Sequence, residues 1–338
     1  MAQQAIPAPT GAGGVSIDLI DNHLSGQDLR QTRNTWRRAF RRDWRLYTLA
    51  ALPLLHLALF AYVPMFGIII AFRRFSPGGP LIGTEWVGLR FFELAFSSAE
   101  FWSVFWNTVV LGGLWFVIGF PLPIILALCL NEVRNRKFKR TVQTITYLPH
   151  FLSIVIVSGL ILQLMRRDGP INAVIGTVAG WFGGEWSPHI FMQDPTWFRP
   201  IWIISEAWQT VGWGTILYLA ALTTVDDQLY EAARIDGASR WRQTWHVTLP
   251  GIRPTIVVLM VLNIGTFMAV GFEKVMLLQN PAVTAVSDVV STFLFRVGVQ
   301  AGQFSLGTAI GLFQSLIGLF LIISANTVSR KLMGSSLW

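Results

Sequence analysis

The chain has 338 residues, 53% of them hydrophobic and only 13% charged. Soluble domains carry about 25% charged residues, so this composition, with a mean hydropathy of +0.52, argues against a soluble globular fold. The net charge of +8 would suit nucleic acid if it formed one patch, but its distribution along the chain argues otherwise. The 15 Trp and 24 Phe fit a protein with two membrane–water interfaces, where amphipathic rings settle.

Residues 1 to about 28 are rich in Ala, Pro, Gly, Gln and Ser without a period and read as a disordered tail. Arg30 to Arg45 follows, with seven arginines and with Trp36 and Trp44 among them. It reads either as a surface-lying amphipathic helix or as a plain cytosolic flank that fixes orientation. Residues 1–45 show no secretory-signal pattern, so the first apolar run is expected to be a retained anchor.

Six apolar runs come next, near 46–72, 103–130, 141–165, 200–222, 254–278 and 305–328. Each approaches the ~20 residues a helix needs to cross hydrocarbon. The expected architecture is an all-α integral membrane protein with six transmembrane helices, a membrane domain over 46–330 and a short C-terminal end over 331–338. Pro53 and Pro64 fall in the first span, where neighbours can re-satisfy freed carbonyls. Cys129 sits within the second and reads as a small buried hydrophobe. One thiol makes neither a disulfide framework nor a thiol metal site.

The loops differ in charge. The N-terminal flank, the 131–140 loop, the 223–253 loop and the C-terminal end together hold 18 Lys and Arg, against six in the alternate loops. The positive-inside rule then puts both termini in the cytosol, which an even number of spans requires. The excess charge serves orientation and contact with anionic lipid, not nucleic acid. The outer loops 73–102 and 166–199 are long, and an amphipathic stretch from Ala173 to Phe182 is expected along the outer interface. Arg73-Arg74 and Arg166-Arg167 there can steer an anionic solute or pair with lipid phosphates.

Polar residues inside spans are costly and face a cavity or the protein interior. Asn107, Glu206, Gln209, Asn263 and Gln314, with Trp208 and Trp213 nearby, are the candidates for a substrate path. Helix–helix hydrogen bonding is the competing role for each polar group.

The 31-residue loop from Thr223 to Arg253 has a pattern of its own. Asp226 or Asp227 can cap a short helix through Tyr230-Glu231-Ala232-Ala233-Arg234, and Gly237 can end it in a left-handed conformation. A second helix is expected from Ala238 to Val247, stopped by Leu249-Pro250 and Pro254 where the next span begins. Small residues at Ala232, Ala233 and Gly237 allow close approach by a partner, so the loop reads as a docking elbow and not a catalytic site. His246 stands alone, without partners at metal-ligand spacing.

Glu231-Ala232-Ala233, Asp236-Gly237-Ala238 and Leu249-Pro250 resemble the EAA loop of the permease subunits of ABC importers. That family usually has an aromatic residue and an Ile before its Leu-Pro; here Trp245 and Val247 stand in. The resemblance runs from about Trp44 to the end. It includes Asn107-Thr108, Tyr147-Leu148-Pro149 and Asp168-Gly169 with Asn172, and is greatest to the subgroup handling oligosaccharides and polysaccharide fragments, acidic ones such as aldouronate and alginate included.

The resemblance implies a type I importer permease in the bacterial cytoplasmic (inner) membrane. It implies as partners a second permease subunit, an ATPase dimer, an extracytoplasmic solute-binding protein and a sugar. The chain has no GxxxxGK[ST] phosphate loop, so ATP and Mg are expected on the partner ATPase, and no cofactor, metal or catalytic site on this chain. Asp226 and Asp227, adjacent on a helix cap, point apart and make no catalytic pair. The rival reading is a standalone carrier or channel without ATPase coupling, which would leave the elbow unexplained.

Overall fold

The structure, a computed structural model, describes the backbone of residues 28–333 and the side chains of residues 42–331. The expected tail over 1–28 and most of the C-terminal end therefore lie outside the described residues. The chain forms two compact units, Met1–Gly67 and Ile68–Trp338.

In the first unit, helix α1 spans Asp28–Leu57, with a non-helical residue at Asp43 where two helices meet. The anchor expected at 46–72 corresponds to the apolar stretch Arg42–Phe72, 31 residues long. A π-helical turn, Ala58–Tyr62, comes just before Pro64. Proline lacks an N–H and its ring crowds the carbonyl four residues back, and a wider turn beforehand relieves both problems.

The second unit is helical, with no strand among its described residues beyond an isolated bridge between Arg73 and Trp86. Its helices are α2 (Arg90–Phe96), α3 (Ala99–Gly119), α4 (Pro121–Glu132), α5 (Arg136–Tyr147), α6 (Ile154–Leu164), α7 (Pro170–Trp181) and α8 (Pro195–Leu222). Then come α9 (Asp227–Ile235), α10 (Arg240–Gln243), α11 (Leu249–Gly265), α12 (Phe272–Leu278), α13 (Val290–Leu294) and α14 (Phe304–Met333).

Among the described residues, four helices are long and apolar enough to cross a bilayer, and a bent pair brings the number to five. The remaining expected span, the fourth in chain order over 200–222, falls in α8, which is not among these five. Its 28 residues reach roughly 42 Å at 1.5 Å each. Arg199, Glu206 and Gln209 lower its hydropathy, and one side of this helix is buried against protein while Ile204, Trp208 and Leu217 remain exposed. It packs against α3, α4, α5 and α11, and buries Phe198, Ile201, Trp202 and Tyr218.

Two spans differ from expectation. The third is not one helix over 141–165: α5 with its 3-10 extension Leu148–Phe151 meets α6 at a bend of 100°. Pro149 and the Ser153 cap, whose hydroxyl accepts from the Val155 N–H, start a new helix there. The fifth does not run over 254–278. Its helix ends at Gly265, and α12 starts at Phe272 after an irregular stretch.

Cys129 is exposed, contrary to its reading as a buried hydrophobe. In a membrane helix an apolar neighbourhood is compatible with a lipid-facing position, so it does not imply burial. The amphipathic stretch from Ala173 is helical to Trp181, within α7, and Phe182 is the residue that ends the helix.

Close approach of α8 to α5 needs a glycine. A Cβ at Gly212 would collide with the Thr146 carbonyl, whereas one at Gly159 in α6 would meet nothing within 4 Å. Gly212→Ala should therefore cost about 1–3 kcal/mol through overpacking. Thermal unfolding of the solubilised protein checks this: the Gly212→Ala midpoint should fall while that of Gly159→Ala holds or rises.

Candidate coupling elbow and translocation cavity

The elbow forms as a helix, a tight turn and a second helix. Asp226 caps α9, its carboxylate accepting from the Gln228 N–H at 2.9 Å. At the other end Gly237 adopts φ 72°. Its N–H donates to the Arg234 carbonyl at 3.1 Å and the Ala238 N–H donates to the Ala233 carbonyl at 2.9 Å. Both bonds of a Schellman ending are thus present. Ser239 caps α10.

The second helix does not stop at Leu249-Pro250. It continues from Arg240 to Gly265, passing through a π-helical turn at Thr244–Thr248 immediately before Leu249 and Pro250. The wide turn accommodates Pro250 as the one before Pro64 does. The Tyr230 hydroxyl donates to Thr248 Oγ1 at 3.0 Å and closes α9 onto this turn. The Gln243 amide donates to the Ala238 carbonyl at 2.8 Å.

The elbow exposes large apolar side chains among its charged ones. Ile235 is 87% and Trp241 70% exposed, with Leu229 and Trp245 also open. Glu231 and Ala232 are exposed beside them, and Asp236 ends the helix. A polar cleft of about 700 Å³ lies behind, between α9–α10 and the loop after α4, lined by Arg134, Tyr230, Arg234 and Arg240 among others.

Inside the second unit, a cavity of about 220 Å³ opens beside α8. Trp115 and Phe116 of α3, Trp202 and Glu206 of α8, and Asn263 and Thr266 at the end of α11 line it. Glu206 lies deeper in its helix than a span starting at 200 would place it. It lies eleven residues in from Pro195, roughly 16 Å along the axis. Its Oε2 accepts from Lys274 Nζ at 2.7 Å, and the lysine side chain is only 1% exposed against 22% for the glutamate. The remaining wall is the break after α11, where the Phe267 carbonyl would lie 2.6 Å from a Cβ at Gly112.

The match to known proteins covers most of the chain. A family model described as "Binding-protein-dependent transport system inner membrane component" matches residues 119–334. The chain belongs to this family.

Among the permease's relatives, the polygalacturonan/rhamnogalacturonan transport system permease protein YteP of Bacillus subtilis is 46% identical over 85% of this chain and 88% of its own. Protein LplB of the same organism is 43% identical over 88% of this chain and 92% of its own. A chain in the crystal structure of a bacterial alginate ABC transporter, solved in complex with an alginate pentasaccharide-bound periplasmic protein, superposes with a TM-score of 0.80 at 37% identity. That match covers 89% of this chain and 99% of the other.

The permease structure separates the residues that the sequence grouped as one path. Glu206 and Asn263 share the cavity. Gln314 donates to the Met268 carbonyl at 2.6 Å, inside the break after α11. Gln209 donates to the Leu152 carbonyl at 3.4 Å, inside the bend between α5 and α6. Asn107 donates to the Ala285 and Asp288 carbonyls at 2.9 and 3.2 Å, and accepts from Arg199 at 2.9 Å. Trp208 lines a separate apolar groove with Val157 and Ile204. Trp213 stacks on His150, with ring centroids 4.6 Å apart. Lys274 was missed as the partner of Glu206; the signal available was a lone carboxylate in one span and a lone ammonium at the end of the next.

The arginines expected on the outer side are partly paired. Arg74 pairs with Glu85 at 3.4 Å and Arg166 with Asp168 at 3.2 Å. Arg296 pairs with Glu100 at 3.0 Å and also with Asp288. This weakens any steering of anions by these positions. Asn172 organises the loop before α8: its amide donates to the Arg166 and His189 carbonyls, and its oxygen accepts from the Trp186 indole and the His189 N–H. Asp194 caps α8. Hydrogen bonds from the Thr196 hydroxyl and N–H, with a lesser contribution from His189, hold its carboxyl below the usual carboxylate range against the opposing effect of burial.

The Tyr230–Thr248 bond gives a direct test of the elbow's closure. Tyr230→Phe should loosen it by about 0.5–1.5 kcal/mol. Hydrogen exchange across 227–248 should speed up in that variant, with exchange in α14 unchanged.

Proposed function

We propose that this permease subunit forms one wall of the translocation path for an oligo- or polysaccharide, and that the elbow couples the path to a cytosolic ATPase. The elbow carries the reading. It is rigidly capped at both ends of α9, yet Leu229, Ile235 and Trp241 stand exposed on its tip, the arrangement of a knob that fits a partner's cleft. Glu231, Ala232, Ala233, Asp236, Gly237 and Ala238 build the knob, and Leu249-Pro250 joins it to α11. The relatives' named cargoes, polygalacturonan or rhamnogalacturonan and alginate, support a saccharide. The aromatic wall of Trp115, Phe116 and Trp202 beside Glu206 and Asn263 suits sugars, which need an apolar surface for their C–H faces and hydrogen bonds for their hydroxyls.

The cavity is smaller than the ~300–1,000 Å³ of a complete small-molecule site, as expected where a second permease supplies the facing wall. An ATPase dimer would bind and hydrolyse ATP with Mg, and an extracytoplasmic binding protein would deliver the sugar. With the elbow cytosolic and the outer loops opposite, both termini face the cytosol, as the charge asymmetry favours. Closure of the ATPase would favour the outward-facing cavity by differential contact at the elbow, moving helices largely as rigid bodies.

The test is ATP hydrolysis by the assembled complex in lipid. Gly237→Pro removes the φ of 72° and the N–H donor together, and Glu231→Lys reverses a charge on the knob. Both should abolish sugar-stimulated hydrolysis or release the ATPase, with the membrane subunits still folded. Full stimulation with the ATPase bound in both variants would overturn the coupling role.

A further inference from the structure

We propose that the polar cleft behind the elbow binds a small oxyanion, a carboxylate or phosphate group, and that its occupancy ties the elbow to the end of α4 and slows coupling. The inference rests on the coupling reading above, which puts the cleft in the cytosol, and adds a regulatory ligand to it.

Three observations carry it. The cleft of about 700 Å³ gathers guanidiniums from three separate segments: Arg134 after α4, Arg234 in the last turn of α9 and Arg240 at the start of α10. Its lining offers only two carboxylates against them, Glu132 and Asp227, so three positive charges face two negative ones and one is left over. The charges are also poorly matched. Arg240 meets Glu132 at 3.4 Å with both side chains at least half exposed, whereas Arg134 and Arg234 make no hydrogen bond or ion pair among the described residues.

An exposed ion pair of this kind contributes little and opens readily, so Arg240 is available as well. A guanidinium presents its N–H groups as a planar fork that fits two oxygens of a carboxylate or phosphate. An oxyanion in the cleft would accept from Arg134 on the α4 side and from Arg234 and Arg240 on the elbow side. It would thus join two segments that Arg240 and Glu132 alone hold loosely. Ile235 and Trp241 on the elbow stay open to a docking protein, which leaves the cleft behind them to a small solute. Two sources of such a solute arise on that side: uronate units that have crossed the membrane, and phosphate released by the ATPase. Either is a product of transport, and bound here it would hold the elbow against α4 when the ATPase must move it.

The experiment uses the complete complex in nanodiscs with saturating sugar-loaded binding protein, and adds galacturonate, inorganic phosphate or, as a neutral control, galactose. Hydrogen exchange across 131–136 and 227–243 should slow with an oxyanion and not with galactose, and about 1 M salt should remove most of the protection. Sugar-stimulated ATP hydrolysis should fall in parallel. Arg134→Gln/Arg234→Gln removes the two unpaired guanidiniums and should weaken both effects by about tenfold, with hydrolysis before oxyanion is added unchanged. A response to one oxyanion and not the other identifies the source. Protection by neither oxyanion overturns the proposal, as does equal inhibition in wild type and double variant. Full protection of 131–136 by the ATPase before any oxyanion is added gives the cleft to the ATPase, and overturns it too. If the double variant fails to assemble, the wild-type comparison of the oxyanions with galactose decides alone. Protection with hydrolysis unchanged keeps the site and counts against the coupling reading, so the two fail separately.

Discussion

A backbone carbonyl freed from a helix inside a membrane has no water to turn to, and must find another donor. Much of the second unit's interior is organised by that requirement. The chain leaves helical geometry between α5 and α6 and again between α11 and α12. At the first break Gln209 reaches from α8 to the Leu152 carbonyl. At the second, Gln314 reaches from α14 to the Met268 carbonyl, and the Ser291 hydroxyl donates to the Val270 carbonyl at 3.4 Å. Asn107 serves the Ala285 and Asp288 carbonyls in the same manner. The polar residues of these spans are therefore mostly joints, each binding one helix to an irregular segment of another. With them occupied, Glu206 and Asn263 remain to face the cavity.

This explains what was legible in the sequence and what was not. Apolar runs of the right length and the uneven loop charges declare a multi-span membrane protein, because lipid enforces both. The elbow was legible because its signals are local. A capping Asp226, a small-residue pair and a glycine at Gly237 act over a few residues, and each bond they imply is present. Gln209, Gln314 and Asn107 were not separable from Glu206, because a polar residue in a span reads the same whether it meets substrate or a freed carbonyl. Only the position of the breaks distinguishes them, and breaks such as 266–271 have no strong local mark. Pro250 was misjudged for a related reason. A proline ends a helix unless the turn before it widens, and a π-helical turn is a property of packing more than of composition.

The same logic applies to burial. In water, Cys129 within an apolar run would be a core position. Here the apolar faces of the long helices are largely exposed, Leu52, Phe60, Ile125 and Phe320 among them, because lipid is the proper neighbour of such a face. The tightly packed interior is concentrated around α8, where Trp202, Phe198 and Ile201 form one cluster with Val157 of α6 and Val275 of α12.

The continuity of the second elbow helix bears on how a cytosolic event would reach the cavity. From Arg240 to Gly265 the backbone is helical without interruption, and Asn263 at its far end lines the cavity beside Glu206. One element therefore links the elbow to the cavity wall, with a single wide turn near the elbow and an abrupt end at the cavity. Had Pro250 ended that helix, as its composition suggested, motion of the elbow would dissipate in a loop. Helices transmit displacement because their hydrogen-bonded turns resist compression and bending, and a π-helical turn alters the register of one turn without breaking the rod. The break beyond Gly265 then allows the two halves of the wall to move relative to each other: Asn263 belongs to the rod, whereas Lys274 belongs to α12 beyond the break and is tied through Glu206 to α8. A displacement of this rod would thus shift Asn263 against the Glu206–Lys274 pair, which is anchored on other helices.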